Sequence, residues 1–505
     1  MDGDWCSLDE LGPLSKLRVL EVSELENVPT TSYAANAMLD EKMHLIRLIL
    51  NCTSKLGDDG LVKEKEGVSE KEQQRIEKVF DKLSPPPGIE ILGIKGRDEV
   101  HLVDLAWLPR LSVLTHLDLS FVDLSPTRDW VHMFNMLPSL KVPRLVFCGL
   151  SSTVCASNLH SKSNLTHLEV LDMPRNYFFG TSFKHNWICN LTSLKELYLI
   201  GCGWNGSIPN ELRNMKSLQV LNLGWNNLEG LLPTNLEDLC DLKVLKLDAN
   251  NINANMGEFL DRLPRCSQNT LQELSLAETN MTRNLPVWIG NMTNLSVLQA
   301  SSNMLTGPLP IGVRALGNLE FVDLIYNNFN GMLLQKHFAR LLNLEYLDLS
   351  YNSLKLAINQ KWVPPFRLKF ASFRSCDLGP HFPEWLKWQS GIDVLVLGNS
   401  NLDDVIPDWF WVTFSQASFL HAAGNKLHGS LPENLQHMVA DHIYLGSNKL
   451  TGQVPLLPIN ISRLNLSSNS FSGSLPSNLK APLLEELLLA NNQIRGICMS
   501  RIVLA

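Results

Sequence analysis

The 505-residue sequence is 45% hydrophobic and carries a formal net charge of -8. It has no cluster of lysine and arginine residues interleaved with aromatics, which argues against a nucleic-acid-binding surface. No stretch reaches the roughly 18 apolar residues of a membrane-spanning helix, and the ten cysteines include no CxxC pair, so neither a zinc ribbon nor a dense disulfide scaffold is indicated.

Residues 1–100 contain three apolar segments that predict strands at unequal spacing: LRVLEV at 17–22, LIRLIL at 45–50 and IEILGI at 89–94. Between the second and third segments, residues 61–83 mix charges with an apolar stripe. That stripe predicts a surface helix packed on its neighbours. The sequence SPPPG at 84–88 ends the helix. The residues of the stripe are Ile76, Val79, Phe80 and Leu83.

From about residue 101, one pattern recurs along the chain, LxxLxLxxNxLxGxxP. Residues 218–233, LQVLNLGWNNLEGLLP, show it fully, and residues 295–310 and 461–476 are close copies. Sixteen units keep one register at steps of 21 to 29 residues, which predicts a repeat solenoid. Their ninth positions are Val122, Cys148, Asn176, Cys202, Asn226, Asn250, Thr279, Asn303, Asn327, Asn352, Cys376, Ser400, Asn425, Asn448, Asn469 and Asn492.

The residue types of the repeat predict its local structure. Leucines alternate with polar residues in each LxxLxLxx segment, which indicates a short strand with its leucines facing inward. Successive strands then stack in parallel. The asparagine at the ninth position can donate to and accept from backbone groups of adjacent turns, so these residues form a structural ladder. Cysteine, threonine or serine at the same position is small enough to fill it.

The strand motif joined to G-x-[I/L/V]-P tails, as at 206–209, 230–233, 429–432 and 452–455, resembles the plant subclass of leucine-rich repeats. Segments VDLAWLPRLSVLTHLDLS (103–120) and WVPPFRL (362–368) resemble plant cell-surface receptor-like proteins of pathogen perception. The resemblance implies an α/β solenoid of right-handed superhelical form. It also implies a parallel β-sheet on the concave side of the solenoid and short or 3-10 helices on its convex side.

Residues 11–96 resemble something else, the repeat region of intracellular nucleotide-binding leucine-rich-repeat disease resistance proteins. The segments that carry this similarity are 14–29, LSKLRVLEVSELENVP, and 84–96, SPPPGIEILGIKG. We therefore expect an irregular leucine-rich segment at 1–100, a regular array at 101–496 and an uncapped tail at 497–505. As written, the chain shows no secretory signal pattern at its start. Its compartment is open, although the resemblance implies extracellular repeats at the plasma membrane.

Two patterns bear on catalysis. Residues 201–206, GCGWNG, match GxGxxG after a strand, but the next strand begins at Leu218 and leaves no room for the helix of a dinucleotide site. Asp323 and Asp348 fall at the same position of neighbouring strands, so their carboxylates are predicted about 5 Å apart, as in retaining glycosidases. An open sheet offers no closed pocket to separate their pKa values. We therefore expect no enzyme activity, cofactor or metal site.

The outward row of strand positions, with the position just before each ladder residue, is the predicted ligand-binding surface on the concave face. It combines exposed aromatics with mixed charge, which is typical of recognition surfaces. The candidates are Tyr198, Asn222, Trp225, Lys246, Gln299, Asp323, Tyr326, Asp348, Tyr351, His421 and Tyr444.

Nine N-x-[S/T] sequons occur, many of them produced by the repeat consensus itself. They accept glycans only if the chain enters the secretory pathway. The glycosylation candidates are Asn164, Asn190, Asn205, Asn280, Asn291, Asn294 and Asn460.

The leading hypothesis is non-catalytic recognition of a protein, peptide or glycan ligand by a receptor-like ectodomain. The resemblance implies a role in plant defence signalling together with a co-receptor kinase. Two alternatives stay open: an intracellular resistance-type sensor fragment, and an inhibitor of cell-wall hydrolases. Glycosylation of the expressed chain separates the first alternative from the leading hypothesis, and pull-down against cell-wall hydrolases tests the second.

Overall fold

The structure is a computed structural model that describes residues 7–52, 70–95, 107–127, 130–151, 164–178, 187–234, 236–476 and 479–495. The chain divides into two compact units, Met1–Asn251 and Ile252–Ala505, called here the N-terminal and C-terminal units. The predicted tail at 497–505 and the first part of the predicted helix at 61–83 lie outside the described residues.

Each repeat contributes one short strand to a parallel sheet, as the alternation of leucines predicts. Within each unit, every strand pairs with the next one along the chain in matched register, for example Val220 with Val244 and Phe321 with Tyr346. The strands of the N-terminal unit are Val19–Val22, Arg47–Asn51, Ile91–Lys95, His116–Asp118, Val142–Arg144, Val170–Asp172, Glu196–Tyr198, Val220–Asn222 and Val244–Lys246. Those of the C-terminal unit are Glu273–Ser275, Val297–Gln299, Phe321–Asp323, Tyr346–Asp348, Phe370–Ser372, Val394–Val396, Phe419–His421, His442–Tyr444, Arg463–Asn465 and Glu486–Leu488.

The core of each unit is formed by the inward residues of these strands and the apolar residues that follow them. The middle strand residue is buried in repeat after repeat, as at Leu221, Leu245 and Leu347. Because adjacent side chains of a strand point to opposite faces, the first and third residues of each strand point away from this core. The register therefore aligns their side chains into rows that cross the sheet.

Short strands and helices complete each turn. Two short strands, Asn205–Ser207 and Asn227–Glu229, pair with each other. Gly206 lies within the first strand with a φ of 77°, and Gly230 directly follows the second with a φ of 78°. Such positive φ angles favour glycine because it lacks a Cβ. Further short strands are Thr282–Arg283, Met304–Gly307, Asn328–Leu333 and Ser353–Leu356, then His428–Ser430, Lys449–Thr451, Ser472–Gly473 and Gln493–Ile494.

In some repeats a proline stands immediately before a short helix. Pro209 and Pro310, which end G-x-[I/L]-P tails, and Pro286, which ends the segment RNLP, have extended backbone angles at this cap position. The 3-10 helices are Leu8–Leu11, Leu25–Asn27, Leu39–Glu41, Leu108–Arg110, Asn164–His167, Trp187–Asn190, Asn210–Asn214, Ser267–Asn269, Val287–Asn291, Ile311–Ala315 and Glu384–Trp388. The α-helices are Thr31–Asn36, Glu70–Lys82, Trp130–Asn135, Met256–Asp261, Gln335–Phe338 and Asp408–Thr413.

The charged helix Glu70–Lys82 packs by its apolar stripe, as predicted. Ile76, Val79 and Phe80 are buried. Arg75 fixes the helix to an earlier segment because its guanidinium donates hydrogen bonds to the carbonyls of Glu26, at 2.7 Å, and Val28. Among the described residues, none of the helices has the length and apolarity that crossing a bilayer requires.

The ladder asparagines make a repeated set of hydrogen bonds between turns. Asn226 Nδ2 donates to the carbonyl of Leu199 in the preceding turn at 2.8 Å and to that of Leu223 in its own turn at 2.9 Å. Its Oδ1 accepts from the N–H groups of Cys202 and Trp204 at 3.0 and 3.1 Å. Asparagine thus satisfies backbone groups that the narrow turn leaves unpaired.

The cysteines of the ladder are free thiols that use a different bond. Cys148, Cys202 and Cys376 are buried, and each Sγ donates to a carbonyl of the preceding turn at 3.1 Å. Burial raises the pKa of all three thiols to about 12. These thiols are therefore protonated and packed at neutral pH.

Candidate ligand-binding face

In the N-terminal unit, charges on the strand face pair with one another. Arg144 Nε lies 3.8 Å from the carboxylate of Asp172 on the next strand, and Lys95 Nζ lies 3.4 Å from Asp118. Glu169 lies between Lys141 and Lys195, and hydrogen bonds from their ammonium groups lower its pKa to about 2. Opposite charges therefore face each other across strands, the stabilising arrangement for a sheet surface.

The predicted binding residues of this unit are spread along its face. Tyr198 donates to Glu196 at 3.0 Å, and burial followed by this bond raises the pKa of the Tyr198 hydroxyl to about 12. Asn222 and Lys246 are half-buried register neighbours on adjacent strands. Trp225 is 66% exposed and has a left-handed backbone conformation with a φ of 57°.

The C-terminal unit brings several predicted residues together. Asp323 and Asp348 are register partners on adjacent strands. Tyr326 and Tyr351, both at positive φ, stack with their ring centroids 4.3 Å apart and their planes at 13°. Of the others, Gln299 Oε1 accepts from Ser275 at 3.1 Å, and the rings of His421 and Tyr444 lie 5.7 Å apart.

A second stack of aromatic rings lies on the other side of the two aspartates. Phe321, Tyr346 and Phe370 occupy the first position of three successive strands, and their centroids are 4.0 and 4.2 Å apart. Sequence reasoning missed these residues because it followed only the third strand position and the position before the ladder. The recurrence of an aromatic residue at the repeat spacing is the signal that identifies them.

We call Phe321, Tyr326, Tyr346 and Tyr351, together with Asp323 and Asp348, the aromatic bracket. Along the chain, Asp323 lies between Phe321 and Tyr326 of its own repeat. Asp348 lies between Tyr346 and Tyr351 of the next repeat. The two stacks therefore flank both carboxylates. Four of the predicted binding residues, Asp323, Tyr326, Asp348 and Tyr351, therefore lie together on two adjacent repeats.

The two carboxylates of the bracket are nearly buried, in contrast to the open charged face that the sequence suggested. Asp323 is 9% exposed and Asp348 is 5% exposed. Burial raises the pKa of both carboxyl groups, although the N–H groups of Ile325 and Ser350 donate to them at 3.2 and 2.9 Å. Among the described residues, no cationic side chain contributes to the pKa shift of either carboxyl group.

A cationic side chain, Arg374, and a titratable one, His421, lie on repeats that follow those of the bracket. The Arg374 guanidinium carbon lies 5.4 Å from the centroid of the Tyr351 ring. His421 packs on Gly398, where any Cβ would fall 2.5 Å from the imidazole ring. Burial and the charge of Arg374 lower the pKa of His421. Arg374 Nε and His421 Nδ1 are buried without a hydrogen-bond partner.

The motifs considered for catalysis and metal binding have structural positions in the repeat. The GxGxxG match at 201–206 leads into the short strand Asn205–Ser207, and its Cys202 belongs to the buried ladder. Within the part of the chain that the structure describes, no group of three or more His, Cys, Asp or Glu side chains is arranged to hold a metal ion.

Five glycosylation candidates have exposed side chains: Asn190, Asn280, Asn291, Asn294 and Asn460. Asn205 is half-buried in a short strand. Asn164 begins a 3-10 helix, and its side chain lies outside the described set. Asn294 Nδ2, the atom to which a glycan would be attached, donates to the carbonyl of Asn269.

Comparison with known proteins supports the repeat assignment. The family model of R13L1/DRL21 leucine-rich repeats matches residues 8–148, and that of the leucine-rich repeat matches 217–239, 343–364 and 460–481. Receptor-like protein EIX2 of Solanum lycopersicum is 32% identical over 135 residues, which are 26% of this chain and 13% of that protein. Receptor-like protein EIX1 of the same species is 29% identical over 439 residues, 72% of this chain and 42% of that protein.

A solved structure, the plant peptide hormone receptor RGFR1 in complex with RGF2, matches with a TM-score of 0.63 and 21% identity. The match covers 95% of this chain and 81% of that chain, and at this identity it shows the fold. The fold and the matches together define a leucine-rich-repeat protein. Within that class, the chain is similar to plant receptor-like proteins, and it spans less than half the length of the two tomato relatives.

Proposed function

We propose that the strand face of the C-terminal unit binds a peptide or an extended protein segment, and that the aromatic bracket is the centre of this site. In this proposal the chain is the ligand-sensing part of a plant receptor-like protein that acts in defence signalling through a partner kinase. The single observation that carries it is the bracket itself, a pair of aromatic stacks beside two nearly buried carboxylates.

Aromatic residues support a binding role because they supply large contact areas at low conformational cost, and they are enriched among the anchors of interfaces. Tyr326 is 52% exposed, yet a left-handed backbone conformation and the stack on Tyr351 hold it in place. A rigid exposed aromatic loses little freedom when a ligand covers it. The comparisons add that two relatives are receptor-like proteins and that RGFR1 is a peptide hormone receptor.

The bracket supports recognition better than catalysis. Acid–base catalysis by two carboxyl groups requires environments that separate their pKa values. Here burial raises the pKa of Asp323 and of Asp348 alike, and each accepts one backbone hydrogen bond of the same kind. The two groups therefore share one environment.

The experiment is a selection from a displayed library of random linear peptides on the purified protein. Peptides recovered on the native protein are then measured against the double variant Tyr326→Ser and Tyr351→Ser. The matched control is Trp225→Ser, which removes an exposed aromatic from the same repeat position in the other unit.

We expect recovered peptides to lose at least about tenfold in affinity for the double variant, equivalent to about 1.4 kcal/mol, and to bind the Trp225 variant normally. Recovery of no peptide, or of peptides that depend on Trp225 and not on the tyrosines, would overturn the proposed site.

A further inference from the structure

The two acids of the bracket are an unusual pair for a sheet surface. Asp323 and Asp348 stand directly opposite each other on adjacent strands, and like charges in that arrangement destabilise a sheet. The N-terminal unit solves the same problem with opposite charges, as in the pair of Arg144 and Asp172. A charge arrangement that weakens the fold indicates a role other than stability.

The hydrogen bonds within the chain do not neutralise these carboxylates. Each aspartate accepts one backbone N–H through its Oδ1, and neighbouring serine hydroxyls also donate. All of these donors are uncharged. The ion pairs of the surrounding repeats use other acids, such as Glu345 with Lys369 at 2.7 Å and Asp377 with Lys355 at 3.0 Å.

Arg374, which lies beside the bracket, shows how a guanidinium interacts with its aromatic rings. Arg374 lies over the face of Tyr351, at the end of the stack that begins with Tyr326. A cation over an aromatic ring is attracted by the negative face of the ring. The aromatic rings that flank the carboxylates therefore already accommodate a cation.

We propose that the bracket is a subsite for a basic side chain, an arginine or lysine of a polypeptide ligand. The proposal rests on the peptide-binding function above and names the chemistry of its central contact. The charged group contacts Asp323 and Asp348, and the hydrophobic stem of the side chain packs against the aromatic stacks. Charge complementarity selects this occupant, because no cationic side chain among the described residues pairs with these two nearly buried carboxylates.

An arginine fits this site better than a lysine. Its planar guanidinium can stack on an aromatic ring and donate to two carboxylates at once, whereas an ammonium is a more strongly hydrated point charge. We therefore expect ligands to bind in the order arginine, lysine, then a neutral residue at the central position.

The test uses peptides recovered in the selection described above. Each peptide is resynthesised with its basic residues replaced singly by glutamine, and affinities are measured by fluorescence polarisation. They are compared on the native protein, on Asp348→Asn and on Glu345→Gln. The last variant removes the same charge from a neighbouring position whose carboxylate is already paired with Lys369.

We expect one basic residue per peptide to be essential, and Asp348→Asn to weaken binding by at least about tenfold while Glu345→Gln has little effect. The asparagine keeps an Oδ1 acceptor for the Ser350 N–H, so the variant is expected to fold; its melting temperature checks this. Peptides that depend on Tyr326 and Tyr351 but carry no essential basic residue would refute this inference and leave the proposed function standing. Absence of tyrosine-dependent peptides would refute both.

Discussion

The ladder residue Asn226 offers a direct test of what holds one turn of the repeat to the next. Replacement by alanine removes a side chain that donates to carbonyls of two turns and accepts two backbone N–H groups. Some of the affected groups keep another partner. The carbonyl of Leu223 also accepts from Asn250 at 2.9 Å. The carbonyl of Gly224, to which Asn226 Nδ2 also donates, accepts from the N–H of Gly201 at 3.0 Å.

The remaining groups determine the size of the effect. The N–H group of Cys202 and the carbonyl of Leu199 lose the partner that Asn226 provides. A buried polar group without a partner costs about 1–3 kcal/mol. Two such groups give a loss of at least about 2 kcal/mol. For a unit of this size, the melting temperature would fall by roughly 4–8 °C at about 2–4 °C per kcal/mol.

The measurement is urea unfolding of the full chain, followed by tryptophan fluorescence, with Asn227→Ala as the matched control. Asn227 is the next residue and its side chain is exposed, so its removal should change stability by no more than about 0.5 kcal/mol. If the two variants unfold within about 1 kcal/mol of each other, the ladder hydrogen bonds do not stabilise the turns as argued.

Three further predictions address other parts of the chain. The buried Lys42 Nζ donates to the carbonyls of Leu11, at 2.6 Å, Gly12 and Leu14. Lys42→Met should therefore lower the free energy of local opening of residues 8–14 by about 1–3 kcal/mol and speed their hydrogen exchange. Unchanged exchange would contradict this. Burial raises the pKa of Asp348 in the folded state. The stability that this pKa shift contributes is therefore fully present below the pKa of the unfolded state, and it is lost as pH rises through the pKa of the folded state. Asp348→Asn should therefore raise the melting temperature at pH 7. It should not raise it at about pH 3, where the native carboxyl group is also neutral. An equal rise in melting temperature at both pH values would refute the argument. Cys202, with its pKa raised to about 12 by burial, should react with iodoacetamide at neutral pH only after unfolding, as mass spectrometry would show.

The repeat pattern predicted most of the local structure because each unit is defined by nearby residues. Leucine alternation located the strand Val220–Asn222, and the register of the repeat located the ladder residue Asn226 that follows it. The strands in residues 1–100 were also recognised, although the described helix begins at Glu70 and residues 53–69 lie outside the described part. Strands form there because apolar alternation decides them even when the spacing is irregular.

Pro143 occupies a strand position where the repeat pattern has a leucine, and the structure shows the local result. Pro143 is buried within the strand Val142–Arg144 and pairs with Leu117. Toward the following strand, however, only Arg144 and Asp172 form a register pair, whereas the other neighbouring strands of the N-terminal unit form three or more. A proline lacks the N–H that a sheet hydrogen bond needs, so pairing is reduced at this point.

The sequence by itself determined the repeat period, the inward leucines and the ladder positions, because these depend on spacing along the chain. It also identified Asp323, Asp348, Tyr326 and Tyr351 as outward residues. Only the tertiary structure decided that the two aspartates are nearly buried and that a second aromatic stack stands beside them. Burial and stacking depend on side chains about 25 residues away in the chain, which parallel strands bring to within about 5 Å of one another.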